Sequence, residues 1–247
     1  MIKETLVLIL MIMIFEQINA QIVTDRPDQT ESSSTVGIGN LQIESGILVG
    51  YTGNEITSVR QILLPTNLLR YGLTQEIELR LLSQFETYKI GDTSIQGISD
   101  LEIGTKIQIL QDENKNTEIA FLSHLIVPTG TLELTGDTFG TINKLSISHQ
   151  LGNSLAFGYN LGYNYFGENS GDFTYSLALG TSVNEKVGIY IEPYGEVVDF
   201  KEFVLNFDAG ITYLANDNLQ FDFSFGTGVN ERMNYISVGF SWLLEKI

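Results

Sequence analysis

Two stretches joined by a short polar loop constrain this chain more than anything else in it. Leu155, Phe157, Tyr159, Leu161, Tyr163 and Tyr165 alternate with Ala156, Gly158, Asn160, Gly162 and Asn164. After Gly167–Asp172 the alternation resumes, with Phe173, Tyr175, Leu177, Leu179, Thr181 and Val183 against Thr174, Ser176, Ala178, Gly180 and Ser182. A period of two means strands, each with one apolar face. The opposite face lacks the Lys and Glu of a soluble sheet and is built from Gly, Ala, Ser and Asn. Bulky residues on one side and small polar ones on the other describe a transmembrane β-hairpin, apolar side to lipid and small side to a lumen.

The rest of the chain repeats this unit. Leu41–Tyr51, Glu76–Tyr88, Asp100–Leu110, Thr117–Val127, Thr141–Leu151, Val187–Val197, Phe203–Leu214, Leu219–Val229 and Tyr235–Leu244 read as further strands. In Thr117–Val127 the alternation is imperfect, because Leu122 and Ile126 fall on the polar face. Ile56–Arg70 is the least regular, and Pro65 predicts a bulge or break there, since proline removes a ladder hydrogen bond. The expected fold is a single antiparallel up-and-down transmembrane β-barrel of about twelve strands, each near the roughly 9–11 residues that cross a bilayer. Parity supports this. The longer links Lys89–Ser99, Pro128–Gly140 and Phe166–Asp172 fall at one end, and the short turns at Gly152, Asn184 and Asn216 at the other, the pattern of outer loops and periplasmic turns. Tyr163, Tyr165, Phe173 and Tyr175 then mark the outer interface, and Tyr213, Phe221 and Trp242 the inner one.

Past the N-terminus no run approaches the ~20 apolar residues of a membrane helix. Met1–Ala20 reads as a secretory signal: Lys3 precedes the apolar run Thr5–Phe15, and Ala20 offers a cleavage site. The chain then divides into 1–20, a polar segment 21–40, and a barrel 41–247. Segment 21–40 has no periodicity. It is either a flexible periplasmic tail or a piece tucked into or under the barrel, with Arg26 paired to lumen carboxylates. A formal charge of −17 argues against nucleic acid as a partner. The absence of cysteine excludes a disulfide framework and thiolate metal sites.

On the polar faces lie Glu44, Glu78, Arg80, Glu86, Asp100, Glu102, Lys106, Glu192, Tyr194, Glu196, Asp208 and Asp222. Buried charges need partners or water. These residues form either a salt-bridge ladder that fills the barrel, with Arg80 and Lys106 as its cations, or an acid-biased path for small cations or neutral solutes. Catalysis is not expected: Ser123-His124 and Ser148-His149 are strand neighbours that point to opposite faces, so neither makes a serine–base contact. Two histidines without spaced partners make no zinc site. The outer-loop Asp137, Asp172 and Asp199 lack calcium-loop spacing. Gly37-Ile38-Gly39 is no dinucleotide fingerprint, so no cofactor is expected.

Several blocks resemble a known family. They are Thr24–Glu31, Gln42–Gly46, Leu68–Thr74 followed by Glu76–Arg80, Asp100–Lys106, Pro128-Thr129-Gly130, Asp208-Ala209-Gly210 and Gly239–Trp242. Together they are similar to an outer-membrane transporter family named after the meta-cleavage pathway of phenol degradation, over nearly all the mature chain. The resemblance implies an outer-membrane barrel that passes a small, hydrophobic or aromatic solute, with membrane lipid and the barrel-assembly machinery as partners. Such barrels commonly close on an aromatic residue, whereas this chain runs on through Leu243–Ile247. Two other readings stay open: a structural barrel with a filled lumen, and a secreted soluble β-barrel with a ligand in an apolar interior.

Overall fold

The computed structural model describes residues 22–53, 58–112, 114–152, 154–167 and 170–247. The signal-like stretch 1–20 lies outside them. Thirteen strands follow in chain order. They are β1 (Leu41–Gly53), β2 (Ser58–Gly72), β3 (Ile77–Ile90), β4 (Thr93–Ile98), β5 (Leu101–Asp112), β6 (Thr117–Val127) and β7 (Gly140–Gln150). Then come β8 (Leu155–Tyr165), β9 (Asp172–Ser182), β10 (Val187–Val198), β11 (Glu202–Asn216), β12 (Leu219–Gly228) and β13 (Met233–Leu244).

Apart from β4, every strand pairs antiparallel with its two neighbours in sequence. The ring closes where β1 meets β13, from Leu41 opposite Leu244 to Thr52 opposite Met233. The result is a closed antiparallel barrel of twelve strands with one short extra strand. Closure leaves no open sheet edge along the wall, which a barrel in hydrocarbon requires.

The extra strand corrects one expectation. Lys89–Ser99 is not a loop. The first half of β3 pairs with β5, and its second half, Phe85–Ile90, pairs with β4 around a turn at Gly91-Asp92. A hairpin therefore stands above the wall. At the break between β4 and β5 sits Asp100, which leaves the lumen set: its carboxylate accepts the backbone N–H groups of Thr129 (3.0 Å), Gly130 (2.8 Å) and Gly136 (3.0 Å) in the outer loop.

The irregularity expected at Pro65 is present. Pairing of β2 with β3 slips between Leu63 and Thr66, and the partner register of β1 shifts between Gly46 and Leu48. The slip reverses which parity of β2 faces inward, which decides where Arg70 points.

Burial is inverted relative to a soluble protein. Among the described residues the largest fully buried side chains are polar except for Leu122, led by Arg70, Lys106, Gln42 and Gln220. Leu161, Leu177 and Phe223 are 46%, 41% and 41% exposed on the outside. A soluble barrel with an apolar interior does not have this arrangement. Aromatic residues gather near the ends of the outer face. Tyr163 stacks near Phe200 and Tyr175 near Phe203 at the loop end, and Tyr213 lies opposite Phe221 at the turn end.

Candidate functional site

The lumen is occupied by the chain's own residues 22–36. Beyond Asn40 the segment passes the turn-end rim, where Val36 N–H donates to Glu78 (3.0 Å) and Thr35 Oγ1 to the Gln75 carbonyl (2.5 Å). It has no ladder of its own. Wall side chains take the N–H groups of Asp25, Gln29, Glu31 and Val36 and the carbonyls of Val23, Glu31 and Ser34, the kind of pairing a buried irregular segment requires. Asp25 Oδ1 accepts the Ser32 N–H (2.7 Å), tying the two limbs into a loop.

One wall, made by β1, β2, β3 and β5, is a dense ion-pair network. Arg70 and Arg80 are directly opposite across β2 and β3, a repulsive pairing taken alone. Carboxylates separate the two charges. Glu78 Oε1 lies 2.9 Å from Arg70 Nε and 3.0 Å from Arg80 Nη1, and Glu44 Oε1 lies 2.9 Å from Arg70 Nη1. The inserted segment completes the set. Asp25 Oδ2 lies 2.6 Å from Arg80, 2.9 Å from Lys106 and 3.4 Å from Arg70. Glu31 lies 2.9 Å from Arg80 and 3.7 Å from Lys144. Arg80 Nε also donates to His124 Nε2 (3.0 Å), so the His124 proton sits on Nδ1, facing Glu102 at 2.8 Å. A Cβ at Gly104 would come within 2.0 Å of that ring, which explains the glycine opposite it.

Arg26 crosses to β12. Its guanidinium takes both Asp222 oxygens, at 3.0 and 3.3 Å, and donates to Ser237 (3.0 Å) and Thr66 (3.3 Å). Gly46 and Gly239 make the space, since a Cβ at either would stand 2.4 Å from the guanidinium.

The facing wall, β8 to β11, holds the segment through neutral donors. Gln29 N–H (2.7 Å) and the Thr30 hydroxyl donate to Glu192, and Thr30 also bonds Ser176 (2.6 Å). Asn160 and Glu31 exchange two bonds, at 2.6 and 3.1 Å. Glu192 and Asp208 are cross-strand partners, and Asp208 accepts from the Tyr235 hydroxyl at 2.6 Å.

The structure thus brings Glu44, Glu78, Arg80 and Lys106 together on one wall and Glu192, Asp208 and Tyr194 on another. Glu102 stands apart on His124, Asp222 is bound to Arg26, and Glu196 lies toward the outer end. The sequence reading left Arg70, His124, Asp25 and Glu31 out of the lumen set, weighing His124 only as a catalytic base. Arg70 carries a readable signal, because apolar Leu69 and Tyr71 flank it as outward residues flank an inward one.

Cavities lie on both sides of the segment. One of about 230 Å³ opens toward the outer end, with Lys144, Asn164, Tyr194, Glu196 and Asn206 around it and Gln29 beneath. Two lie toward the turn end, of about 420 Å³ beside Ser32–Ser34 and about 330 Å³ beside Arg26–Asp28. Among the described residues no group of acidic or histidine side chains is arranged to hold a metal ion.

Solved structures share this architecture. The COG4313 outer membrane channel from Pseudomonas putida F1 superposes with a TM-score of 0.73 at 13% identity, covering 86% of this chain and 98% of that one. The KdgM porin in complex with disordered oligogalacturonate gives 0.57 at 9% identity, covering 81% and 98%. The β domain of the Bordetella autotransporter BrkA gives 0.53 at 12% identity, covering 83% and 99%. At these identities the likeness shows the fold, that of outer-membrane β-barrels. No curated protein matches the sequence. Residues 24–244 match the family described as "Putative MetA-pathway of phenol degradation", and the chain belongs to that family.

Proposed function

We propose that this protein is an outer-membrane channel that passes a small solute, and that segment 21–40 closes it from the periplasmic side. Export by residues 1–20 and insertion by the barrel-assembly machinery complete the reading. The observation that carries it is what fills the lumen. The barrel is stopped by a separable length of chain, held by hydrogen bonds and ion pairs, with a cavity above it and two below. Wall side chains alone would fill a barrel meant only as a structural element, and twelve strands enclose more room than the smallest filled barrels do. The family's description points to an aromatic solute.

The second reading, a structural barrel with a filled lumen, draws on the same network, since Arg70, Lys106, Glu44 and Glu78 are wholly buried against the segment. Reconstitution separates the two. The channel reading expects ion current in planar bilayers and uptake of small aromatics into vesicles, both rising when residues 22–36 are deleted. No current and no uptake in either form, with the barrel still folded by its heat-dependent gel migration, would establish the structural reading.

A further inference from the structure

We infer that His124 is a pH-sensitive latch on the inserted segment: protonation of its ring breaks the bond to Arg80 and loosens the segment. The inference rests on the reading that this segment closes the lumen. His124 is buried on the inward face of β6. Its register partners are Gly104 on β5 and Ile142 on β7. The charged groups around it are Arg80 and Glu78 on β3, Glu102 and Lys106 on β5, Lys144 on β7, and Asp25 and Glu31 of the segment. Arg70 on β2 stands one step further, beyond Glu78.

The hydrogen bonds fix what the ring can carry. A guanidinium only donates, so Arg80 Nε at 3.0 Å requires a lone pair on His124 Nε2. The single proton of the neutral ring then sits on Nδ1, 2.8 Å from Glu102. A second proton has to go to Nε2, where it meets the Arg80 N–H head-on. Donor then faces donor, and cation faces cation. The ring has little freedom to turn aside. It rests against the wall at Gly104, where a Cβ would come within 2.0 Å of it, and Nδ1 is anchored on Glu102. The Glu102 carboxylate also balances the new charge, so Arg80 is the group that yields.

Arg80 is the cation whose displacement the segment feels most. It pairs with both segment acids, Asp25 at 2.6 Å and Glu31 at 2.9 Å, whereas Lys106 reaches Glu31 only at 3.9 Å. Moving its guanidinium strains both contacts at once. The order of titration favours the latch. Imidazole is the side chain whose charge ordinarily changes between about pH 5 and 8. Carboxylates ordinarily stay ionised down to about pH 4. Mild acid therefore reaches the ring before it reaches the ion pairs. The chain's other histidine, His149, stacks on Phe157 and Tyr159 and bonds the Thr117 hydroxyl on the other face of the wall, away from the segment.

The test is limited proteolysis of the folded chain in detergent at about pH 7.5 and about pH 5.5. Each rate is divided by that of the unfolded chain at the same pH, which removes the protease's own pH dependence. Cleavage within residues 22–36 is expected to rise about tenfold or more in acid, the worth of one charge-assisted contact. His124→Gln offers Arg80 an acceptor that does not titrate, so its rate should stay flat. His149→Gln should keep the rise. Glu102→Gln withdraws the carboxylate that balances the charged ring and should move the rise to lower pH. A rise of less than about twofold in the unmodified chain overturns the inference without recourse to a variant. So does a full rise in His124→Gln that still shows heat-dependent gel migration. Ion current over the same pH range tests the channel reading separately. Cleavage that responds to pH, with no current at either value, upholds the latch and sinks the channel. Current with cleavage that ignores pH does the reverse.

Discussion

Replacing Asp25 with Asn should loosen the inserted segment more than any other single change within it. Asp25 touches three cations, at 2.6 Å (Arg80), 2.9 Å (Lys106) and 3.4 Å (Arg70). Removing one member of a buried ion pair costs about 3–5 kcal/mol when it strands the partner. The stranding here is uneven. Arg80 keeps Glu31 and Glu78, and Arg70 keeps Glu44 and Glu78. Lys106 is left with only Glu31 at 3.9 Å and the Ser32 hydroxyl at 3.0 Å. The low end, about 3 kcal/mol, is therefore expected, which multiplies the released population roughly 100-fold. Asn can keep the bond to Ser32 N–H, so the segment's own turn is preserved and the effect reports wall contacts. Limited proteolysis of folded protein in detergent measures that population where reclosing outpaces cleavage. A cleavage rate for residues 22–36 that rises less than about threefold, in a barrel that still shifts on heating, would refute the account of what holds the segment.

Gly239→Ala tests the same docking through space alone. The added methyl displaces the Arg26 guanidinium from Asp222, and a charged hydrogen bond of about 1.5–3 kcal/mol is at stake, so release should rise roughly tenfold or more in the same protease assay. In the outer loop, burial raises the pKa of Asp100, but hydrogen bonds from Thr135, Gly136, Gly130 and Thr129 outweigh it and leave the value below the ordinary 3.8. A folded value below the unfolded one gives loop order that is complete above pH 3.8 and lost as pH falls through the lower value. Amide exchange of Thr129, Gly130 and Gly136 should thus stay protected until below that pH, and loss of protection above it would contradict the assignment. Leu161→Arg, on the lipid face of mid-strand β8, should cost about 2–4 kcal/mol, against roughly 0–1 for Tyr213→Arg near the rim. Denaturant titration in lipid vesicles reads the difference, and equal costs would argue against the lipid-facing assignment.

The wall was legible because its two faces differ in kind. In Leu155–Tyr165 and Phe173–Leu179 every other side chain is bulky, and the structure turns Leu161, Tyr163 and Leu177 outward. Legibility failed where that contrast vanishes. Thr93–Ile98 forms a strand standing above the wall, where both faces meet water, so no apolar alternation marks it. On β2 the bulge at Pro65 reverses the parity: Gln61 faces inward before it, Thr66 and Arg70 after it. A reading in one frame misplaces Arg70 for that reason, although the proline that causes the slip was visible. The inserted segment is a harder case. Its structure consists of side-chain contacts with strands up to about 200 residues away, such as Arg26 with Asp222. No local period encodes them. Arg26 stands out as the segment's only cation, whereas Asp25 and Glu31 look like ordinary solvated acids until Arg70, Arg80 and Lys106 are known to share a wall.

That wall explains why the segment carries acids at all. Without the segment, Arg70, Arg80 and Lys106 face only Glu44 and Glu78 at ion-pair distance, a positive surface. Opposite it stand Glu192 and Asp208, with no cation in reach among the described residues. Asp25 and Glu31 cancel the positive wall when the segment docks. The facing wall receives only uncharged donors, from Gln29 and Thr30. The ion pairs of docking are therefore concentrated on the β1–β3 and β5 side, with Arg26 on Asp222 of β12 as a further one.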